Sequence, residues 1–238
     1  MRSESISQLK LLQLADSALP VGGASHSFGL ETLVAEGFLV VEAVEPFLHE
    51  FLREAGQQES AFCRAAHRLA AEPVDAGDNL QSESWLELNR CLSARKPARE
   101  SRAGSAALGR RLLRLVCQLE ESPLLEKAYA AAQQEGVDLH YSTAFGLSGG
   151  ALGLDRDKTV EAYLHQSVAC LISTCQRLLP LGQTRASQML WNLKPAIIAA
   201  ANQSREPEIS RDEVNCFAPL LDAAAMRHAT LRTRLFIS

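Results

Sequence analysis

The side chains able to do chemistry in this chain are few, and their spacing argues against most catalysis. Gly146-Leu147-Ser148-Gly149-Gly150 matches the G-x-S-x-G pattern of serine hydrolases. There the serine is a nucleophile for acyl transfer, exposed on a sharp turn between a strand and a helix. The parallel-sheet pattern that such a turn requires is missing, so these small residues read as a face on which two helices approach closely. A hydrolase centred on Ser148 is the enzyme alternative. The six histidines (His26, His49, His67, His140, His165 and His228) show no His-x-x-x-His or similar ligand spacing, and no metal site is expected. The six cysteines (Cys63, Cys91, Cys117, Cys170, Cys175 and Cys216) contain no Cys-x-x-Cys and read as reduced, mostly buried thiols. Cys170 and Cys175 share a helix face, but that face is apolar and they fill core space there. No Gly-Lys-Ser or Gly-Lys-Thr is present to cradle a nucleotide phosphate.

Two segments do not read as ordinary packing. The first runs from Pro20 through Gly22, Gly23, Ser25, His26, Ser27 and Phe28 to Glu31. Its glycines permit positive φ or close backbone approach. Ser25 or Ser27 can cap the helix that follows, and Glu31 complements that helix's positive end. The second is the tail, about 228–238. It holds His228, Arg232, Arg234, Leu235 and Phe236 and ends Ile237-Ser238. Chain ends are usually polar and frayed. An apolar end flanked by arginines has to dock, on its own body or on a partner, and arginine and aromatic side chains are favoured interface anchors.

The elements that must position these segments are helical throughout. Val44, Phe47, Leu48, Phe51, Leu52 and Ala55 lie on one face of a 3.6-residue period, with Pro46 in the first turn. Leu108, Leu112, Leu115, Val116 and Leu119 form a second stripe, entered through Pro97. Ser122-Pro123 reads as the cap and first residue of another helix. From Val160 to Leu179 the spacing holds for about five turns, roughly 30 Å, with Asp155 or Asp157 able to cap the start. Leu190, Leu193, Ile197, Ile198 and Ala201 predict one further helix, kinked by the internal Pro195. Ser210 and Glu213 are spaced as a capping box, and Pro219 starts the last helix. The stretch 72–84 reads as a surface loop. No strand alternation and no internal repeat is present. The expected fold is all-α, a single bundle of roughly ten helices over 1–238.

Composition agrees. Aromatic residues are only 5% of the 238, against the enrichment that sheets require. A net charge of −4 disfavours nucleic acid as a partner. No apolar stretch approaches the roughly 20 residues that span a membrane, and no secretory signal opens the sequence. A cytoplasmic location is expected.

Five blocks, in order, carry a resemblance over nearly the whole chain. They are Leu12 to Gly23 with Ser27-Phe28-Gly29-Leu30-Glu31; Arg99-Glu100-Ser101-Arg102 to Gly109; and His140 through Phe145-Gly146 to Gly153. Arg177-Leu178-Leu179-Pro180-Leu181-Gly182-Gln183-Thr184 follows, and then Pro219 to His228 with Arg234-Leu235-Phe236. Together they resemble the UreF family of urease accessory proteins. The chain departs from many members at Ala24-Ser25-His26, where those carry an aromatic before the first serine. The resemblance implies an all-helical homodimer with no activity and no tightly bound cofactor of its own. It would bind UreD (UreH in some systems), recruit the GTPase UreG and dock on apo-urease, where the complex inserts nickel. The resemblance also implies that the last residues become ordered on UreD/UreH, with Arg234 as the important arginine. The other class open to the sequence is a helical interaction module unrelated to urease.

Overall fold

The computed structural model describes residues 2–71, 79–205 and 218–237. Its helices are α1 (Arg2–Leu14), α2 (Leu30–Ala35), α3 (Val44–Phe51), α4 (Gln57–Ala71), α5 (Asn79–Ala94) and α6 (Arg99–Leu119). They continue as α7 (Pro123–Gln134), α8 (Tyr141–Ala151), α9 (Arg156–Leu178), α10 (Gln183–Asn192), α11 (Lys194–Gln203) and α12 (Pro219–Arg227). No strand occurs among the described residues, so the fold is all-α. A π-helical turn, Leu52–Gly56, joins α3 to α4 as one continuous rod.

Local chemistry sets most boundaries. The Ser122 hydroxyl accepts from Leu125 N, with Pro123 opening α7. The Asp155 carboxylate accepts from Lys158 N at 2.8 Å, so Asp155 rather than Asp157 caps α9. Pro46 sits in the first turn of α3, and Pro219 opens α12. Three readings are corrected. Pro195 does not kink a single helix. The path breaks at Leu193, and Pro195 lies in the first turn of α11, where its missing N–H has no intrahelical partner to lose. Neither Ser25 nor Ser27 caps α2; Gly29 holds that position with no side-chain cap. The stretch 72–84 is not loop to its end, because α5 begins at Asn79. The Ser210–Glu213 capping box lies outside the described residues.

The core is organised around α8. Every residue from Ser142 to Gly149 is buried. A helix that is covered on all sides shows little periodicity, and this one can be covered because eight of its eleven residues are glycine, alanine, serine or threonine, with Tyr141, Phe145 and Leu147 as the large exceptions. Its main neighbours are α4, α6 and α9. Gly146 carries the tightest approach: a Cβ there would stand 1.9 Å from the Cys63 carbonyl oxygen of α4. Ser148 is fully buried, and its hydroxyl has no hydrogen-bond partner among the described residues. Inside a helix, with no base in reach, it offers no nucleophile. The G-x-S-x-G spacing here serves helix packing. The long stripe of α9 buries Val160, Leu164, Val168 and Cys175 completely. Arg64 ties three helices together, donating to Asp157 Oδ1, Ser204 Oγ and the Ala201 carbonyl.

Gly146→Ala is expected to cost stability by overpacking, about 1–3 kcal/mol. It should appear as a lower urea midpoint at unchanged slope.

Candidate docking site at the glycine corner and the tail

The two unusual segments meet. Residues 20–31 form a corner: a left-handed Gly22, a short 3-10 turn over Gly23–Ser25, and a second left-handed pair at Phe28 (φ 50°) and Gly29 (φ 94°). At Phe28 a bulky side chain holds a conformation that costs of order 1 kcal/mol. Its ring lies 5.7 Å from that of His26, which is buried beside it. At Gly29 the requirement is steric as well, since a Cβ would meet the Leu221 carbonyl at 2.9 Å. That gap lets α12 lie against α2. A paired contact, Arg227 Nε and Nη2 on the two Glu36 oxygens at 2.9 and 2.7 Å, fastens the same joint.

From α12 the chain turns through a 3-10 segment, His228–Thr230, and lays its tail along the corner. Glu31, in the first turn of α2, receives it. Leu235 N donates to Glu31 Oε1 at 2.6 Å and Phe236 N to Oε2 at 3.2 Å. His228 is fully buried, with Nε2 2.8 Å from Glu31 Oε2 and Nδ1 2.7 Å from Glu100 Oε2. Arg234 Nη1 stands 3.5 Å from the other Glu100 oxygen. Ile237 N donates to the Ser25 carbonyl at 2.9 Å. The Phe236 ring is buried, and the Arg177 guanidinium lies 4.2 Å from its centroid while Nη1 donates to the Ala24 carbonyl. A cation over an aromatic face is worth about 0.5–2 kcal/mol.

The sequence-predicted residues therefore fall into two sets. His26, Ser27, Glu31, His228 and Phe236 are buried and act as the frame. Gly22, Gly23, Ser25 and Phe28 are partly covered. Pro20, Arg232, Arg234 and Leu235 are exposed, Leu235 at 65%, and Ile237 joins them at 66%. Alternation along the tail thus buries one apolar anchor and turns two outward. Glu100 and Arg177 complete the site, although pattern reading gave them no role. Their signal lay in the resemblance blocks, which include both; helical periodicity marks only apolar faces and passes over a charged residue that closes a long-range contact.

A cavity of about 180 Å³ adjoins the corner, lined among others by His26, Phe28, Glu59, Lys96, Cys170 and Asp222. Glu59 and Lys96 form a largely covered ion pair there, and the Lys96 charge holds the Glu59 carboxyl below its usual range although desolvation pulls the other way. Burial pushes the Cys170 thiol and the Asp222 carboxyl up. A raised thiol pKa leaves less of the thiolate that reacts or ligates. Among the described residues, no group of three or more His, Cys, Asp and Glu side chains could hold a metal ion. No helix there is long and apolar enough to cross a membrane. The five described cysteines are all free thiols.

His140 is a hub of another kind. Its N–H donates to Asn89 Oδ1, and its ring contacts Ser93 Oγ at 2.7 Å and Ser105 Oγ at 3.2 Å. Burial, then the nearby Lys96 charge, push the ring down to about 3. It joins α5, α6 and α8 as a neutral group.

Comparison with known proteins decides the assignment. The sequence model of the UreF family matches residues 41–194. The chain is 34% identical over 232 residues to the urease accessory protein UreF of Lachnoclostridium phytofermentans, covering 97% of this chain and 98% of that one. It is 31% identical over 228 residues to the UreF of Actinobacillus pleuropneumoniae serotype 5b (96% and 97% covered). The UreF of Haemophilus influenzae strain PittGG is also 31% identical (96% and 94%). The chain belongs to the UreF family. The family match lies between the two segments of the docking site, while the UreF relatives align across nearly the whole chain. In this UreF-family chain the tail lies on the corner through Glu31 and the Ser25 carbonyl.

His140 sets an acid limit on the fold. The folded chain keeps the ring neutral until about pH 3, whereas the unfolded chain protonates it near 6.5. Between those values the unfolded state binds more protons, so stability is lost as pH falls. Burial lowers His26, His67 and His165 as well, with the same sign. Urea unfolding of His140→Gln is expected to show a slope against pH smaller by one proton, roughly 1.4 kcal/mol per pH unit.

Proposed function

We propose that this chain is a non-catalytic adaptor in urease maturation. With UreD/UreH and UreG it would promote nickel delivery to apo-urease, nickel being cargo and GTP hydrolysis belonging to UreG. Family membership and the relatives' name, urease accessory protein, support the setting. The observation that carries the adaptor reading is the docked tail. Its outward residues Arg232, Arg234, Leu235 and Ile237 rest on a buried frame of Glu31, His228 and Phe236. A large apolar side chain that stays exposed beside arginines, on a backbone fixed from below, has the make-up of an interface hot spot. Holding it in place in the free chain lowers the ordering cost of association. The family resemblance implies a tail that orders on its partner, and the seat on Glu31 supplies part of that order in the free chain. UreD/UreH is the proposed partner at the tail. UreG is proposed at the adjoining corner, and a second copy of the chain completes the adaptor in the cytoplasm.

Arg234→Ala, or deletion from Arg232 onward, is expected to weaken recovery of UreD/UreH at least tenfold in a pull-down and to block urease activation, with unchanged helical circular dichroism. Glu31→Ala should act on both corner and tail. Ser27→Ala, which removes a buried hydroxyl with no partner among the described residues, should bind UreG normally. Full recovery of UreD/UreH by the truncated chain would end the adaptor reading, whereas copurification with UreD and UreG, weighed as a complex, gives the stoichiometry.

The isolated chain is expected to hold no tight nickel. Equilibrium dialysis that returned one strongly bound ion per chain would move nickel from cargo to cofactor.

A further inference from the structure

Two arginines from different helices hold the corner. Arg111 of α6 donates from Nη1 to the Val21 carbonyl at 3.2 Å, and Arg177 of α9 donates from Nη1 to the Ala24 carbonyl at 2.6 Å. Those carbonyls are three residues apart, so the two guanidiniums bracket the short turn over Gly23–Ser25. Arg111 lies close over the backbone, where a Cβ at Gly22 would collide with its Nη1. Its charge is felt in the corner: burial first, and then Arg111, lower the His26 pKa. A guanidinium carries five N–H donors in a fixed fork, and these contacts to the corner use one apiece. Both residues are exposed, and the side chains between them are no larger than those of alanine and serine. The remaining donors are open to a ligand from outside.

Neither Arg111 nor Arg177 is paired with a carboxylate among the described residues. Many other arginines are: Arg53 with Glu50, Arg64 and Arg205 with Asp157, Arg110 with Asp138, Arg227 with Glu36. The acids closest to the corner in sequence, or joined to it by the tail, are committed. Asp16 Oδ1 accepts from Ala18 N, Glu31 is buried under the tail amides, and Glu100 faces His228 and Arg234. The chain as a whole carries a net charge of −4. Two fixed guanidiniums without counter-charge on such a chain are set up for an anion supplied by a partner. The adjoining exposed Leu235 and Ile237 suit a protein surface rather than a nucleic acid.

We propose that the corner is a carboxylate receptor, in which Arg111 and Arg177 take the Asp or Glu side chains of an acidic segment on a protein partner. Guanidinium meets carboxylate through paired N–H···O bonds, a geometry that lysine does not reproduce. The backbone carbonyls hold both heads in place beforehand, which lowers the ordering cost of binding. This rests on the reading of the corner as the UreG surface, and it names what UreG must present there. Contacts of this kind speed association and weaken as salt rises.

Two titrations of the full chain test it. In the first, an oligoglutamate peptide is added and the arginine Nε–H resonances are followed by nuclear magnetic resonance. Those of Arg111 and Arg177 are expected to move together and saturate. Arg111→Gln should weaken the peptide about tenfold. Arg111→Lys, which keeps the charge and loses the fork, should fall between, and it carries the test if the glutamine variant disturbs the fold. Inorganic phosphate at matched ionic strength should not displace the peptide. An unchanged response in both variants, or displacement by phosphate, overturns the proposal. In the second, purified UreG replaces the peptide. Arg111→Gln is expected to weaken UreG about tenfold and to flatten its salt dependence. Recovery of UreD/UreH should not change, because Arg111 has no bond to the tail among the described residues. UreG bound equally well by that variant also overturns the proposal. A chain that takes the peptide through these arginines but binds no UreG would remove UreG from the corner and leave the carboxylate receptor standing.

Discussion

The arrangement at the end of this chain hangs on one buried carboxylate. Glu31 is 5% exposed and would be costly there without donors. It receives the Leu235 and Phe236 amides, and His228 Nε2 stands 2.8 Å from it, all from residues far along the sequence. The position at the start of α2 also places it near the positive end of that helix. Removing it would strand two backbone N–H groups and one side of the imidazole at once, and an unsatisfied buried group costs about 1–3 kcal/mol. The tail's other supports, the Ser25 carbonyl and Arg177 over Phe236, add to this but do not replace it.

That carboxylate reaches the tail only because the helices below are closely packed and specifically placed. α8 is narrow enough to be surrounded, and the close approach at Gly146 brings α4 against it. His140 and Asn89 then pin α5 and α6 to the same helix through neutral hydrogen bonds. α6 thereby delivers Glu100, and α9 delivers Arg177. The gap at Gly29 admits α12, which sets where His228 falls. Small side chains, neutral hydrogen bonds and the Arg64–Asp157 ion pair hold the helices together, while the Glu31 carboxylate and the Arg177 guanidinium hold the tail.

Much of this was legible beforehand. The helix starts at Ser122 and Asp155 follow from capping chemistry that acts within a few residues, the place of Pro46 in the first turn of α3 from its missing N–H, and the buried stripe from Val160 to Cys175 from its period. The failures also have local causes. Pro195 opens α11 because Leu193 leaves the helical path just before it. Gly29, not a serine, starts α2, since a left-handed φ there matters more than a side-chain cap. Asn79 begins a helix although it follows a stretch rich in turn residues.

The sequence by itself determined the helical class, the packing role of Ser148, and the oddity of two segments, because those rest on short-range spacing and on residue type. Only the tertiary structure decided that the two segments are one site. Glu31 and His228 lie at opposite ends of the chain, and their pairing depends on how α2, α6 and α12 stack, which no local pattern encodes. The tail's alternation was undecided for the same reason. Leu235, Phe236 and Ile237 are alike in sequence, and it is the Glu31 carboxylate with the Arg177 guanidinium that selects which of them turns inward.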